Sequence, residues 1–461
     1  MTMFVPEASR HKAHRSENLP GAPHAPAPAL AKSLRPRHIT MISLGGVIGA
    51  GLFIGSSGAI LTAGPSVLIS YVLSGLIVFL VNIMLRDIAL HAPGHGSFVN
   101  QIHFALGPLS GFVAGWVYWI VWVTTLGVEV IASASLLAPY VPLPYALIEI
   151  LILAVMTAIN LLSVKNYGEF EYWFAMIKVA AICSFVVIGC LLLGNRPVPV
   201  AQNVFGHGGL MPMGVFAFLA AIPTVLFSMT GSEIATIAAL ESDNPDRNIA
   251  RITRTVALRL LAFYLTSIVL ILCLIPWSDN IRGFSPFLMV LTRFHVPYAS
   301  MIMTGVILSA TLSTLNSGLY ATSRVVYEMA CRGDAPRVLE AMSPQAHLPR
   351  RAVLASSAVA LLISATAIFS PGVMFAFLVA TTGTFIMFYN VMIVCARLRL
   401  YRLSAWKGWL AITLLLGVLL SMLMTPETRH ELAAGSIALI LITVGGWIKL
   451  HRSIHASDGG A

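Results

Sequence analysis

Few ionisable side chains lie inside the apolar stretches of this chain, and each costs roughly 2.5–3.5 kcal/mol at the centre of a membrane helix. Lys178, in Met176-Ile177-Lys178-Val179-Ala180, is the sharpest case. A lysine in such a setting can release and rebind a proton. It can also snorkel, since it lies about six residues, roughly 9 Å at helical rise, from the nearer end of its stretch. Glu233 closes the segment Phe227-Ser228-Met229-Thr230-Gly231-Ser232-Glu233. There a carboxylate can bind a substrate amine, carry a proton, or accept hydrogen bonds from backbone amides that a helix break frees. Glu129, in Leu126-Gly127-Val128-Glu129-Val130, either faces a site or lies near the outer surface. Asn316, in Leu315-Asn316-Ser317-Gly318, offers an amide to a ligand or to a neighbouring helix. This is a vocabulary of binding and proton handling. Phosphate loops, HExxH and GxSxG are all missing, so no enzyme, cofactor or metal site is expected. His91 and His95 are four apart, but Pro93-Gly94 interrupts any helix that would align them.

The backbone is a second source of chemistry. Leu44-Gly45-Gly46-Val47-Ile48-Gly49-Ala50-Gly51-Leu52-Phe53-Ile54-Gly55 puts five glycines in twelve residues inside the first apolar run. Each weakens a helix by roughly 1 kcal/mol relative to alanine. Irregular backbone at membrane depth survives only where it is buried in protein or lines a cavity. A broken helix there presents free amides to a small anion, and Gly49-Ala50-Gly51 is the part expected to do so. The spacings Gly45/Gly49, Gly51/Gly55 and Gly111/Gly115 also suit close helix packing.

The elements that position these groups follow from composition. The 461 residues are 57% hydrophobic and only 10% charged, with mean hydropathy +0.86. A soluble protein averages about 25% charged residues. Twelve apolar runs read as membrane spans: 41–62, 66–86, 107–138, 144–163, 172–194, 213–239, 255–276, 298–330, 352–369, 373–397, 408–425 and 432–450. An even count puts both termini on one side. That side holds 23 of the 28 Lys and Arg, whereas Arg196, Arg282, Arg293 and Arg429 fall on the other and Lys178 lies within a span. Both termini are therefore expected in the cytoplasm. The net charge of +10 records this topology rather than nucleic-acid binding. The domain reading is a disordered tail at 1–36, a transporter domain at 37–452 and a cytoplasmic tail at 453–461. The five cysteines, Cys183, Cys190, Cys273, Cys331 and Cys395, read as small apolar residues.

Spans one and six both carry a break, and each opens a set of five. Five is odd, so the second set starts from the opposite face, which is the inverted-repeat pattern of secondary transporters. Spans eleven and twelve are additions. Between spans six and seven, Asn244-Pro245 reads as a helix start, with Arg247, Arg251 and Arg254 on one face.

The stretch Arg37-His38-Ile39-Thr40-Met41-Ile42-Ser43-Leu44-Gly45-Gly46-Val47-Ile48-Gly49-Ala50-Gly51-Leu52-Phe53 resembles the opening signature of bacterial amino acid permeases of the amino acid–polyamine–organocation superfamily. Ala63-Gly64-Pro65, Gly96-Ser97-Phe98, the run 163–171, the run 231–243 and Leu315-Asn316-Ser317-Gly318-Leu319-Tyr320 match in order. The runs 163–171 and 233–243, with Arg332-Gly333-Asp334-Ala335-Pro336, look most similar to 4-aminobutyrate (GABA) permeases. The resemblance implies an all-α membrane fold of twelve helices, built as a five-plus-five inverted repeat with two added helices. It places a substrate carboxylate on the backbone of Ile48, Gly49, Ala50 and Gly51, and the amino group near Phe227, Thr230 and Gly231. It makes Lys178 the proton-coupling residue. Leu85-Arg86-Asp87-Ile88 departs from the family pattern after span two.

The expectation is proton-coupled uptake of a small zwitterionic amino acid, GABA-like or neutral, across a bacterial inner membrane by alternating access. The partners are the amino acid, the proton and the lipid bilayer, with no nucleic acid, and no oligomeric state follows. The alternatives are an exchanger, a polyamine carrier or a non-transporting amino acid sensor. Few acidic residues near the inferred site weigh against polyamines.

Overall fold

The computed structural model describes residues 46–91, 97–162, 164–231, 233, 245–342, 348–401 and 404–458. The expected N-terminal tail, Leu44-Gly45, the Pro93–His95 interruption, Asn244 and most of the 231–243 run lie outside the described residues.

Every regular element among the described residues is helical. One π-helical turn, Gly51–Gly55, leads into α1 (Ser56–Ala63). Then follow α2 (Val67–His91), α3 (Phe98–Leu106), α4 (Pro108–Leu137), α5 (Tyr145–Leu162) and α6 (Val164–Asn195). The short α7 (Ile222–Ser228) stops at the second break. Next come α8 (Pro245–Leu274), α9 (Ala299–Cys331), α10 (Arg350–Ala365), α11 (Pro371–Leu400), α12 (Ala405–Met424) and α13 (Arg429–Asp458). α8 begins at Pro245, where a proline at the first helical position needs no amide partner.

Among the described residues, eight helical stretches are long and apolar enough to cross a membrane. Within the same residues two of the expected runs give shorter helices: 213–239 yields Ala217–Ser228 and 352–369 yields the 16-residue α10, whereas most of 255–276 lies within the 30-residue α8. The runs 41–62 and 66–86 form the near-continuous helical stretch Gly51–Ile88. α13 continues to Asp458, past the expected boundary at 452.

Burial sorts these helices into pillar and periphery. The apolar window of α4 is 78% buried and that of α13 only 11%. α4 packs most heavily on α9 and α11, so the carboxylate it carries lies at the centre of the bundle. Its aromatic residues serve packing. Tyr118 stacks edge-on against Phe98 and Tyr389, and Trp122 packs under Gly318. The indole N–H of Trp116 donates to the Asp334 carbonyl, which pins α4 to the end of α9. The Asp334 carboxylate also takes Arg332 and Lys449, and so ties in α13.

Candidate functional site

The two breaks meet. At Gly231 the backbone adopts φ +107°, a conformation that glycine tolerates and side chains do not. A Cβ there would lie 2.6 Å from the Gly46 carbonyl oxygen, so the second break rests directly on the first. The Tyr264 hydroxyl, from α8, lies 2.8 Å from the Ser228 carbonyl and 3.3 Å from that of Val47. It serves a freed acceptor on each side of the contact. Gly51 backs onto Ser228 and the ring of Phe227, both buried.

The Ala50 amide points into the bundle and meets a carboxylate. It donates to both Glu129 oxygens, each at 3.2 Å. Glu129 is 1% exposed, which settles its place at the break rather than near a surface. Gly49 makes this approach possible, because a Cβ there would lie 2.5 Å from Glu129 Oε1 and 2.6 Å from Thr314 Oγ1. Ile48 and Ala50 are fully buried beside them. The sequence expectation was an anion on these amides, and the anion in place is the protein's own.

Lys178 is fully buried and does not snorkel. Its ammonium donates to Ser313 Oγ at 2.9 Å, and that hydroxyl donates to Glu171 Oε1 at 2.6 Å. Glu129 and Glu171 both act electrostatically on this ammonium. The centre of the bundle thus holds two carboxylates and one amine on α4 and α6, joined by hydroxyls of α9 and by the backbone of the first break.

A second polar cluster surrounds Glu233. Its Oε2 accepts the Gly231 amide at 3.0 Å, so the carboxylate satisfies a donor that the break frees. Its Oε1 is buried and makes no hydrogen bond among the described residues. Glu233 lines a cavity of about 20 Å³ together with Asn82, Thr230, Tyr389 and Asn390. That volume admits one water and no amino acid. The Thr230 hydroxyl donates to the Leu226 carbonyl. A larger recess of about 240 Å³ borders α1 and the start of α7, with Ser57, Thr62, Thr224 and Arg282 on its walls.

Residues 38–457 match the amino acid permease family. The chain belongs to this family. It is 38% identical over 445 residues to a protein named probable GABA permease from Pseudomonas aeruginosa, covering 92% of this chain and 94% of that one. It is 37% identical over 446 residues to the gamma-aminobutyric acid permease of Bacillus subtilis, covering 92% and 95%. An aromatic amino acid transport protein of Corynebacterium glutamicum is 36% identical over 448 residues, covering 92% and 96%. With its apolar helices, this makes the chain a multi-pass membrane protein.

Within this permease the expected site residues separate into three groups. Ile48, Gly49, Ala50 and Glu129 converge, with Gly51 and Phe227 packed alongside. Thr230, Gly231 and Glu233 form the cluster at the second break. Asn316 stands apart, because its amide oxygen accepts from Asn160 Nδ2 at 2.7 Å, an α9–α5 contact. Sequence reading missed Glu171, Ser313, Thr314 and Tyr264. One signal for Glu171 was available: it precedes Lys178 by seven residues, which puts both on one helix face. The departure at Arg86-Asp87 finds its own partner. One Asp87 oxygen takes Arg86 and the other takes Arg397, a guanidinium that is 1% exposed, so the shorter acid closes a buried bridge between α2 and α11.

Proposed function

We propose that this permease carries small zwitterionic amino acids, GABA-like or neutral, into a bacterial cell together with a proton. It works by alternating access around the two breaks. The fold behind this reading has twelve spans, a five-plus-five inverted repeat with two added helices, and both termini in the cytoplasm. Tails at 1–36 and 453–461 flank the transporter domain at 37–452.

The observation that carries the reading is the Ala50 amide held by the Glu129 carboxylate. Backbone donors at a helix break suit a carboxylate, and Glu129 occupies the place that a substrate carboxylate would take. An arriving zwitterion offers an exchange: its carboxylate takes the Ala50 amide, and Glu129 turns to its ammonium. Charge is conserved at both positions, so no buried ion is left without a partner. Ile48, Gly49 and Gly51 shape this cradle. Phe227, Thr230 and Gly231 line the amine end, where Glu233 adds a further acceptor and Asn316 buttresses the wall. Lys178 then loads and releases the coupled proton. The names of the relatives favour GABA among zwitterions, while the aromatic amino acid relative shows that family members with about this identity differ in substrate.

The test is uptake in proteoliposomes with an imposed pH gradient. Lys178→Ala should abolish accumulation against a gradient, and undiminished uphill uptake by that variant sinks the coupling role. A panel of unlabelled amino acids competed against labelled GABA reads out the substrate class. A panel in which no zwitterion competes refutes it.

A further inference from the structure

Glu171, Ser313 and Lys178 are each 0% exposed and form one linear chain of hydrogen bonds. The geometry follows from their spacing. Side chains on a helix lean toward its N-terminus, so Lys178 reaches back along α6 toward Glu171, two turns earlier. α9 inserts Ser313 between them. The Ser313–Glu171 distance of 2.6 Å lies in the range of a hydroxyl donating to an ionised carboxylate, about 2.5–2.7 Å. A buried ammonium held only by neutral groups would carry a large desolvation cost, and a carboxylate one hydroxyl away offsets it.

Among the described residues, α4 contributes Glu129, which acts on the Lys178 ammonium, and α9 contributes Ser317 beside Glu171. Glu129 is engaged by the Ala50 amide. Glu171 stands on the far side of Ser313 from Lys178 and on neither broken helix.

We propose that Glu171 is the resident counter-ion of Lys178 and its proton-exchange partner, reached through the Ser313 hydroxyl. In the transfer, a Lys178 Nζ–H bond breaks as a Ser313 Oγ–H bond forms. The original Ser313 O–H bond breaks as a Glu171 Oε1–H bond forms. Ammonium and carboxylate become amine and carboxylic acid, with protons and electrons conserved and no co-reactant. Lys178 thereby becomes neutral without contact with solvent. A proton taken up from either side is then shared by two groups, and Glu171 positions and charges the lysine that handles it. This rests on the coupling role proposed above for Lys178.

The experiment compares Glu171→Gln, Glu171→Asp, Ser313→Ala and Lys178→Ala in proteoliposomes. Two readouts are taken: accumulation driven by a pH gradient, and counterflow of preloaded substrate, which needs no gradient. Glu171→Gln and Ser313→Ala should each lose at least tenfold in accumulation while keeping counterflow. The pH dependence of their uptake should differ from that of the wild type. Glu171→Asp should restore part of both. Wild-type accumulation and pH profile in Glu171→Gln and Ser313→Ala, with Lys178→Ala inactive, overturns the proposal alone. Accumulation that survives in Lys178→Ala overturns the parent reading instead. Should Glu171→Gln fail to fold, the pH profile of Ser313→Ala decides, and a wild-type profile there counts against the relay.

Discussion

Replacing Glu129 by Gln should move the affinities of two closely related ligands in opposite directions. In the structure its carboxylate shares the Ala50 amide between two oxygens at 3.2 Å. That is longer than the usual 2.9–3.0 Å, so the contact is of ordinary rather than exceptional strength. A hydrogen bond to a charged group contributes about 1.5–3 kcal/mol and one between neutral groups about 0.5–1.5. An amide in place of the acid therefore weakens the Ala50 contact by about 1–1.5 kcal/mol. With GABA bound, Glu129 instead faces an ammonium, where two charges at contact distance gain about 4 kcal/mol at an effective dielectric of 20. The variant loses this and recovers the smaller Ala50 term, a net loss of about 2–3 kcal/mol. At tenfold per 1.4 kcal/mol, GABA should bind roughly 30- to 150-fold more weakly. Butyrate has the carboxylate and no ammonium. Against wild type it must evict Glu129 and leave two carboxylates side by side, whereas against Gln it meets a weaker competitor and no repulsion. It should bind about tenfold more tightly. Inhibition constants of both ligands, measured by displacement of a labelled substrate from purified protein at one pH, read this directly. Shifts in the same direction, or shifts below about threefold for both, refute the exchange of partners.

Three further outcomes follow from the contacts. Gly231→Ala places a Cβ 2.6 Å from the Gly46 carbonyl at φ +107° and adds about 1–3 kcal/mol of backbone strain. Its thermal midpoint in detergent should fall by several degrees and uptake should vanish, and an unchanged midpoint would contradict the close contact of the breaks. Asn160→Ala and Asn316→Ala each remove one helix–helix hydrogen bond, typically about 0.6 kcal/mol and at most about 1.7. Asn160→Ala also loses the Asn160 bond to the Met156 carbonyl, so the double variant should lose no more than Asn160→Ala alone, with KM within about twofold of wild type; a raised KM in Asn316→Ala alone assigns that amide to the substrate. Asp87→Ala strips a carboxylate from the buried Arg397 guanidinium and should cost about 3–5 kcal/mol of stability. Adding Arg397→Met should recover most of it, and no recovery would show that Asp87 acts elsewhere.

Legibility from sequence tracked how local each feature is. The two breaks could be read because glycine inside an apolar run is a local anomaly with a backbone cause. Helix locations followed from hydropathy, but the merged stretch Gly51–Ile88 and the short α7 depend on how a break is accommodated in three dimensions. The depth of Glu129 could not be read, because α4 is buried on nearly all sides and has no polar face to orient it. Ser313 and Thr314 gave no signal at all. Hydroxyls are common in membrane helices, and only the arrival of Lys178, Glu171 and Gly49 from other elements gives these two a role.

Tyr264 shows why the two breaks act as one unit. A helix break leaves carbonyl groups without partners, and in an apolar interior each is costly to bury. The Ser228 and Val47 carbonyls lie on different breaks, yet one phenol from α8 serves both. One hydroxyl carries one proton, so it cannot fully satisfy both acceptors at once. Separating the breaks would release the weaker contact, at 3.3 Å, before the stronger, at 2.8 Å. The first break is therefore the one held loosely to α8, and it is also the one whose Ala50 amide is gripped by Glu129. If a substrate carboxylate displaces that grip, the first break loses its tie to α4 while its tie to α8 is already the weaker one. In the alternating access proposed above, this order of contacts would make the first break the element freed by substrate, with the second break and α8 as its frame.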